Sequence, residues 1–312
     1  METDPTNESR RMDERTLTDA DGIEIFFRTW PRPGATGVVV ISHGASEHSG
    51  RYDRFARALN ARGYAAYALD HRGHGRTADA TGAGRIGPGG GDRLVDDLHA
   101  LVEHARAEMP GTPVVLFGHS MGSLIGQAYA TRHSDAFAGY VLSGCPGPLP
   151  GADEIRAALQ AAADAGMSDQ PLDTLGPFNE PFEPARTKSD WLSRDADEVD
   201  KYIADPLCGD DMPLTYGYMH ELLELSMPAM EPAAISKIAA IPVLMITGEM
   251  DPASGMSANA RELEKRLRDA GLDVTARYYP EARHELLNET NRDEVTADVI
   301  DWLDRVIASS PA

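Results

Sequence analysis

The chain has 312 residues, 42% hydrophobic and 25% charged, a composition of globular proteins rather than of disordered or fibrous ones. Its formal net charge of −21, with no block of Lys or Arg to offset it locally, repels nucleic-acid phosphates and anionic headgroups, so nucleic acid is not expected as a partner. The first fifteen residues lack the apolar core of a signal peptide, no apolar run reaches the ~20 residues of a membrane span, and a cytoplasmic protein is expected.

In chain order, a polar tail over residues 1–15 precedes a β-rich run at 23–30 that reads as an edge strand. A buried strand at 38–42, a helix at 51–62 and a strand at 65–69 follow, then a Gly-rich loop at 82–91. The next helix, 92–108, places Leu94, Leu98, Leu101, Val102 and Ala105 on one stripe. A strand at 114–117, a helix at 122–133 and a strand at 140–143 continue the alternation. It breaks over residues 148–232, where Pro, Asp, Ala and Met dominate and two stretches, 153–166 and 212–230, have helical composition. Strands at 243–247 and 274–279, each followed by a helix (256–270 and 291–307), close the chain. The order implies one α/β core, 16–147 plus 233–312, with a mostly parallel central sheet, helices on both faces and an inserted helical cap, 148–232.

Gly118-His119-Ser120-Met121-Gly122 follows a strand and opens a helix, the setting of a strained nucleophile turn. A serine hydroxyl is weakly nucleophilic and needs a base, which in this topology follows in the order Ser, Asp or Glu, His. Of the later histidines, His133 ends a helix and His220 lies in the cap, while His284 follows a late strand and is the expected base. Asp251, on the turn after strand 243–247, is the expected acid, with Glu249 as competitor. An oxyanion formed at the substrate carbonyl calls for two backbone N–H donors, expected from Met121 and from Ala45 on the loop after strand 38–42.

The histidines and arginines of Asp70-His71-Arg72-Gly73-His74-Gly75-Arg76 stand on a Gly-broken turn without further ligands and read as a structural loop, so no metal or cofactor is called for. Cys145 and Cys208 show no CxxC spacing and read as reduced, structural thiols.

With His43-Gly44-Ala45-Ser46-Glu47-His48-Ser49-Gly50-Arg51-Tyr52, these motifs resemble the monoacylglycerol lipase and lysophospholipase group of α/β hydrolases, from about Thr16 to the C-terminus. The resemblance implies an α/β-hydrolase fold, a lid-like cap, and cleavage of a lipid ester carrying one acyl chain through an acyl-enzyme on Ser120. Any contact with a membrane surface would be transient and through the cap. Residues 212–230 hold more apolar positions than one buried stripe needs, so Met219, Leu222 and Leu225 are candidates to line an acyl channel. The cap segments Trp191-Leu192-Ser193-Arg194-Asp195 and Tyr202-Ile203-Ala204-Asp205-Pro206 resemble a bacterial subset without implying a role. An aminopeptidase-like amide hydrolase, suggested by the cap acids, and a non-catalytic ligand-binding homologue are the alternatives. The intact Ser120, Asp251 and His284 speak against the latter.

Overall fold

The computed structural model describes residues 12–172 and 176–310. Eight strands, β1 (Asp13–Thr18), β2 (Glu24–Trp30), β3 (Gly37–Ser42), β4 (Tyr64–Leu69), β5 (Val114–His119), β6 (Gly139–Ser143), β7 (Val243–Gly248) and β8 (Val274–Tyr279), form one sheet in the order β1-β2-β4-β3-β5-β6-β7-β8. The β1–β2 and β2–β4 pairs are antiparallel and every other pair is parallel. Each residue of β3 to β7 is buried, which is why these strands read as continuous apolar runs rather than alternating ones.

The longer helices are α1 (Asp53–Arg62), α2 (Asp92–Glu108), α3 (Met121–His133), α4 (Ala152–Asp164), α5 (Ala196–Ala204), α6 (Tyr216–Ala229), α7 (Ala258–Asp269) and α8 (Arg292–Ser309). Strand alternation sorts the core into two layers. Val39, Ile41 and Phe117 face α1 and α8 through Phe55, Leu59, Val299 and Trp302. Val38, Val40 and Leu116 face α2, α3 and α7 through Leu98, Ile125 and Leu263. Each fully buried Leu contributes about 1.5–3 kcal/mol relative to exposure. Helix α1 stops at Gly63, whose φ of 107° lets its N–H turn back to the carbonyls of Leu59 and Asn60.

Two expectations are corrected. The run at 23–30 is not an edge strand: β2 is buried from Ile25 to Trp30, because β1 pairs along its outer side. The polar tail therefore ends sooner than residue 15. Residues 13–15 lie in β1, whose sequence DERTLT carries no apolar run to reveal it, and residues 1–11 lie outside the described residues. The helices expected at 153–166 and 212–230 are α4 and α6. Helix α5 was not anticipated, having few buried apolar residues besides Val199 and Tyr202.

The chain runs from β3 outward to β4 and then back to β5 on the other side of β3. Loops after β3 and β5 diverge at this reversal and leave a crevice beyond the strand ends, where ligands bind in open α/β sheets.

Candidate active site

Ser120 occupies the turn from β5 into α3 with φ 50° and ψ −118°, a conformation a non-glycine residue holds only under constraint. The flanking glycines supply it. A Cβ at Gly118 would stand 2.5 Å from the Gly122 carbonyl oxygen, and one at Gly122 would stand 2.0 Å from that of Ser42. Both obstacles are backbone, so α3 approaches β3 and β5 this closely only without side chains there.

Asp251 follows β7 and His284 follows β8, and both are buried. His284 Nδ1 lies 3.0 Å from Asp251 Oδ1, which also accepts the Ala253 N–H at 2.9 Å. With Nδ1–H pointing at the carboxylate, Nε2 is left as the basic nitrogen. Burial works against the imidazolium, but the charge of Asp251 and its hydrogen bond outweigh it and raise the His284 pKa above 6.5. His119, whose ring centroid is 4.9 Å from that of His284, is driven by burial down to about 4 and stays neutral.

The loop after β3 is held from several sides. His43 Nε2 accepts the His71 N–H at 3.0 Å, so its proton sits on Nδ1 and is donated to the Gly44 carbonyl at 2.7 Å. Glu47, buried, accepts the Gly44 N–H at 2.6 Å, the Tyr52 hydroxyl at 2.8 Å and Arg51 at 2.7 Å. Burial opposes its charge, yet Arg51 and the Gly44 N–H hold its pKa down at about 2. The 70–76 loop is the prop behind this one. His71 Nε2 bonds Ser42 Oγ at 2.8 Å, and the wholly buried Arg72 pairs with Asp97 at 2.8 Å and with Asp19.

A cavity of about 140 Å³ opens on these groups. Ser120, His284, Ala45 and Met121 line it, together with the apolar Leu124, Leu149, Leu214, Met219, Leu222 and Leu223. Successive residues of α6 are turned by roughly 100°, which puts Met219, Leu222 and Leu223 on one face. Leu225 falls outside that arc: it is buried in the core and does not line the cavity, contrary to expectation. Glu249 pairs with Arg261 at 2.9 Å, His133 stacks on His99, and His220 lies 3.9 Å from Glu224; none of the three lines the cavity.

Several lining residues were not anticipated. Trp191 lies against His284 with ring centroids 4.8 Å apart, Tyr202 lies under the Arg51 guanidinium at 4.8 Å, and Glu47 and Glu285 edge the polar end. Trp191 and Tyr202 fall in the two cap segments that stood out in the sequence, but no spacing rule connects those segments to residues ~100 positions away. His48, Asp205 and Cys208 bring potential ligand atoms within 4.8 Å of one another. His48 Nδ1 accepts the Gly50 N–H, however, so Nε2 carries the proton toward Asp205 at 3.0 Å and offers no lone pair to a cation. That hydrogen bond and the Gly209 N–H to Ser46 carbonyl bond, 2.9 Å, tie the cap to the loop after β3. Ser46 itself has φ 55°. No helix among the described residues is long and apolar enough to cross a membrane.

The sequence pattern of the family described as serine aminopeptidase, S33, matches residues 33–291. A monoacylglycerol lipase of Mycolicibacterium smegmatis is 33% identical over 294 residues, covering 93% of this chain and 96% of that protein. The chain belongs to the monoacylglycerol lipase group of α/β hydrolases. The human monoglyceride lipase is 32% identical over 245 residues, 75% of this chain and 72% of that one. Among solved structures, a highly thermostable carboxyl esterase from Bacillus coagulans, in complex with glycerol, superposes with a TM-score of 0.87 at 27% identity, covering 95% of this chain and 99% of that one. Membership of this group makes the chain a carboxylic ester hydrolase.

Proposed function

We propose that the chain hydrolyses esters of single-acyl-chain lipids, of monoacylglycerol or lysophospholipid type, through an acyl-enzyme on Ser120. His284 takes the Ser120 proton as the hydroxyl attacks the carbonyl, Asp251 holds the imidazole in the productive tautomer, and the N–H groups of Ala45 and Met121 receive the oxyanion. Collapse of the tetrahedral species passes the proton from His284 to the leaving alcohol. Water, activated by the same base, then releases the fatty acid. The observation that carries the reading is the single cavity that has Ser120 and His284 at one end and the leucines and methionine of α3 and α6 along its length. An alkyl chain gains about 0.8 kcal/mol per buried methylene there. The names of the similar lipases, and the glycerol of the esterase complex, support a glycerol ester. Residues 148–232 act in this reading as the lid that sets acyl selectivity.

The amide alternative needs a carboxylate available to a free amine. Glu47 and Glu285, the acids at the cavity, are both committed: Glu285 grips Arg51 with two bonds at 2.6 and 2.7 Å and accepts from Asn288 at 2.9 Å. A hydrolysis profile over monoacylglycerols, lysophospholipids, p-nitrophenyl esters and aminoacyl anilides tests the proposal. Monoacylglycerols or lysophospholipids should dominate; a preference for the anilides would replace the ester reading with the amide one.

A further inference from the structure

The loop that carries His284 runs from the end of β8 to the start of α8 with a single 3₁₀ turn at Leu286–Asn288, and Glu281 within it has φ 60°. So irregular a segment has no ladder of its own to hold a base in place. The core holds it through Asp251 with His284, Arg51 with Glu285 and the Met250 N–H with the Ala282 carbonyl, and the rest of its support comes from the cap. Six consecutive cap residues, 190–195, each meet the 283–292 stretch. The Asp190 carbonyl receives the Arg283 guanidinium, and the Trp191 indole lies against the His284 ring. The Leu192 carbonyl accepts the Glu285 N–H at 2.7 Å, and Ser193 Oγ donates to the Asn288 carbonyl at 2.8 Å. Arg194 pairs with Glu289 at 2.9 Å, and Asp195 accepts from Arg292 at 2.5 Å.

Glu289 is the hub of this seam. It is wholly buried, and each oxygen serves both sides. Oε1 accepts the N–H of Arg283 at 2.8 Å and that of Arg194 at 3.1 Å. Oε2 accepts the N–H of Thr290 at 2.8 Å and Arg194 Nε at 2.9 Å. A buried carboxylate persists only when paired and fully hydrogen-bonded, so the hub holds cap and loop in one geometry or not at all.

We propose that Glu289 is a positioning residue for the base. It acts through the Arg283 N–H, one residue before His284, and through Arg194, which lies on the same short stretch as the Trp191 that packs against the imidazole. Residues 190–195 are then a fixed wall of the active site, and any opening of the cap takes place elsewhere in it. The proposal rests on the reading of His284 as base. Displacing that base by about 1 Å is enough for a hundredfold loss.

The test uses the full chain, with folding checked by circular dichroism, and compares wild type, Glu289→Gln and Arg194→Lys. The lysine keeps a positive charge but loses the guanidinium fork and its Nε–H. The readouts are kcat and KM on a short-chain p-nitrophenyl ester, the acid limb of the pH profile, and the rate at which a fluorophosphonate labels Ser120. Glu289→Gln should lower kcat and the labelling rate roughly tenfold to a hundredfold with KM nearly unchanged. Its acid limb should move to lower pH, because a looser His284 gains less from Asp251. Arg194→Lys should show the same signature, weaker, and decides the matter if Glu289→Gln does not fold. A folded variant that melts earlier yet keeps wild-type kcat, acid limb and labelling rate makes Glu289 merely structural and overturns the proposal. Wild-type protein that the fluorophosphonate does not label at Ser120 overturns the triad reading beneath it.

Discussion

The backbone N–H of Gly44 donates to the Glu47 carboxylate at 2.6 Å, and the next peptide along is that of Ala45, the proposed oxyanion donor. The bond fixes the plane of the loop from which that donor projects. Complete loss of one oxyanion donor costs about 2.7–4 kcal/mol, so partial misdirection should cost a fraction of this. Glu47→Gln, which keeps an acceptor for Gly44 but loses the charge facing Arg51, should lower kcat about tenfold with little change in KM. Glu47→Ala, which also strands the Tyr52 hydroxyl, should lose more and fold less stably. Steady-state kinetics beside a thermal melt separate the two effects, and a fully active Glu47→Gln enzyme would free the loop from this residue.

Ser120→Ala and His284→Ala should each cost roughly 10⁴ to 10⁶ in turnover, and the double variant little more than either, since members of a triad act as one unit. Asp251→Asn should fold and lose about 10⁴, because the amide favours the wrong imidazole tautomer. Single-turnover rates on an activated ester measure all three. Losses that multiply would mean that Ser120 and His284 serve separate steps.

His284, the proposed base, would work only when neutral, and Asp251 raises its pKa above 6.5 despite burial. Activity should therefore climb as pH rises through a value above 6.5, and His119, at about 4, adds no second limb in that range. In the residual activity of Asp251→Asn the limb should move to lower pH, since burial then acts on His284 with no charge to oppose it. The kcat/KM profile of both proteins checks the sign. An acid limb at or below 6.5 in the wild type contradicts the pairing.

Leu222 lines the cavity and Leu225 does not. Leu222→Trp should shorten the preferred acyl chain while sparing acetyl esters. Leu225→Trp should instead overpack the core, costing about 1–3 kcal/mol of stability, and leave the chain-length profile in place. Profiles over esters of increasing length, read with the melting temperature of each variant, decide it. An equal shift from both substitutions would move the channel to another face of α6.

The parts legible in the sequence were those with a strong local signature. Strands β3 to β7 are buried on both faces and so apolar throughout, and the glycines at 118 and 122 mark a turn where backbones touch. Ser120 and Asp251 each follow such a strand and His284 follows β8; the structure puts Ser120 and His284 at one cavity, with Asp251 3.0 Å from His284. Strand β1 escaped notice because an edge strand made of charged residues looks like a tail. The error at Leu225 came from treating all the apolar residues of α6 as one surface, when the helix turns some toward the cavity and others toward the core. Contacts such as His48 with Asp205, or Trp191 with His284, depend on how the cap lies over the core, and no periodicity encodes that.

The charged strand β1 has a further consequence, for the behaviour of the protein in crowded solution. The outermost backbone of a sheet is an open template on which another chain can add itself, and the stretch behind β1, Ile-Phe-Phe-Arg-Thr-Trp at 25–30, has the β-rich, apolar make-up that amyloid-like stacking exploits. In the fold that stretch is shielded by Asp13, Glu14 and Arg15. Glu14 is pinned by Arg28 and Arg76, and Arg15 by Glu108. A second molecule seeking to extend the sheet on this side meets charges it would have to strip of water. Charge on the strand least visible in the sequence is thus expected to keep this edge from templating aggregation.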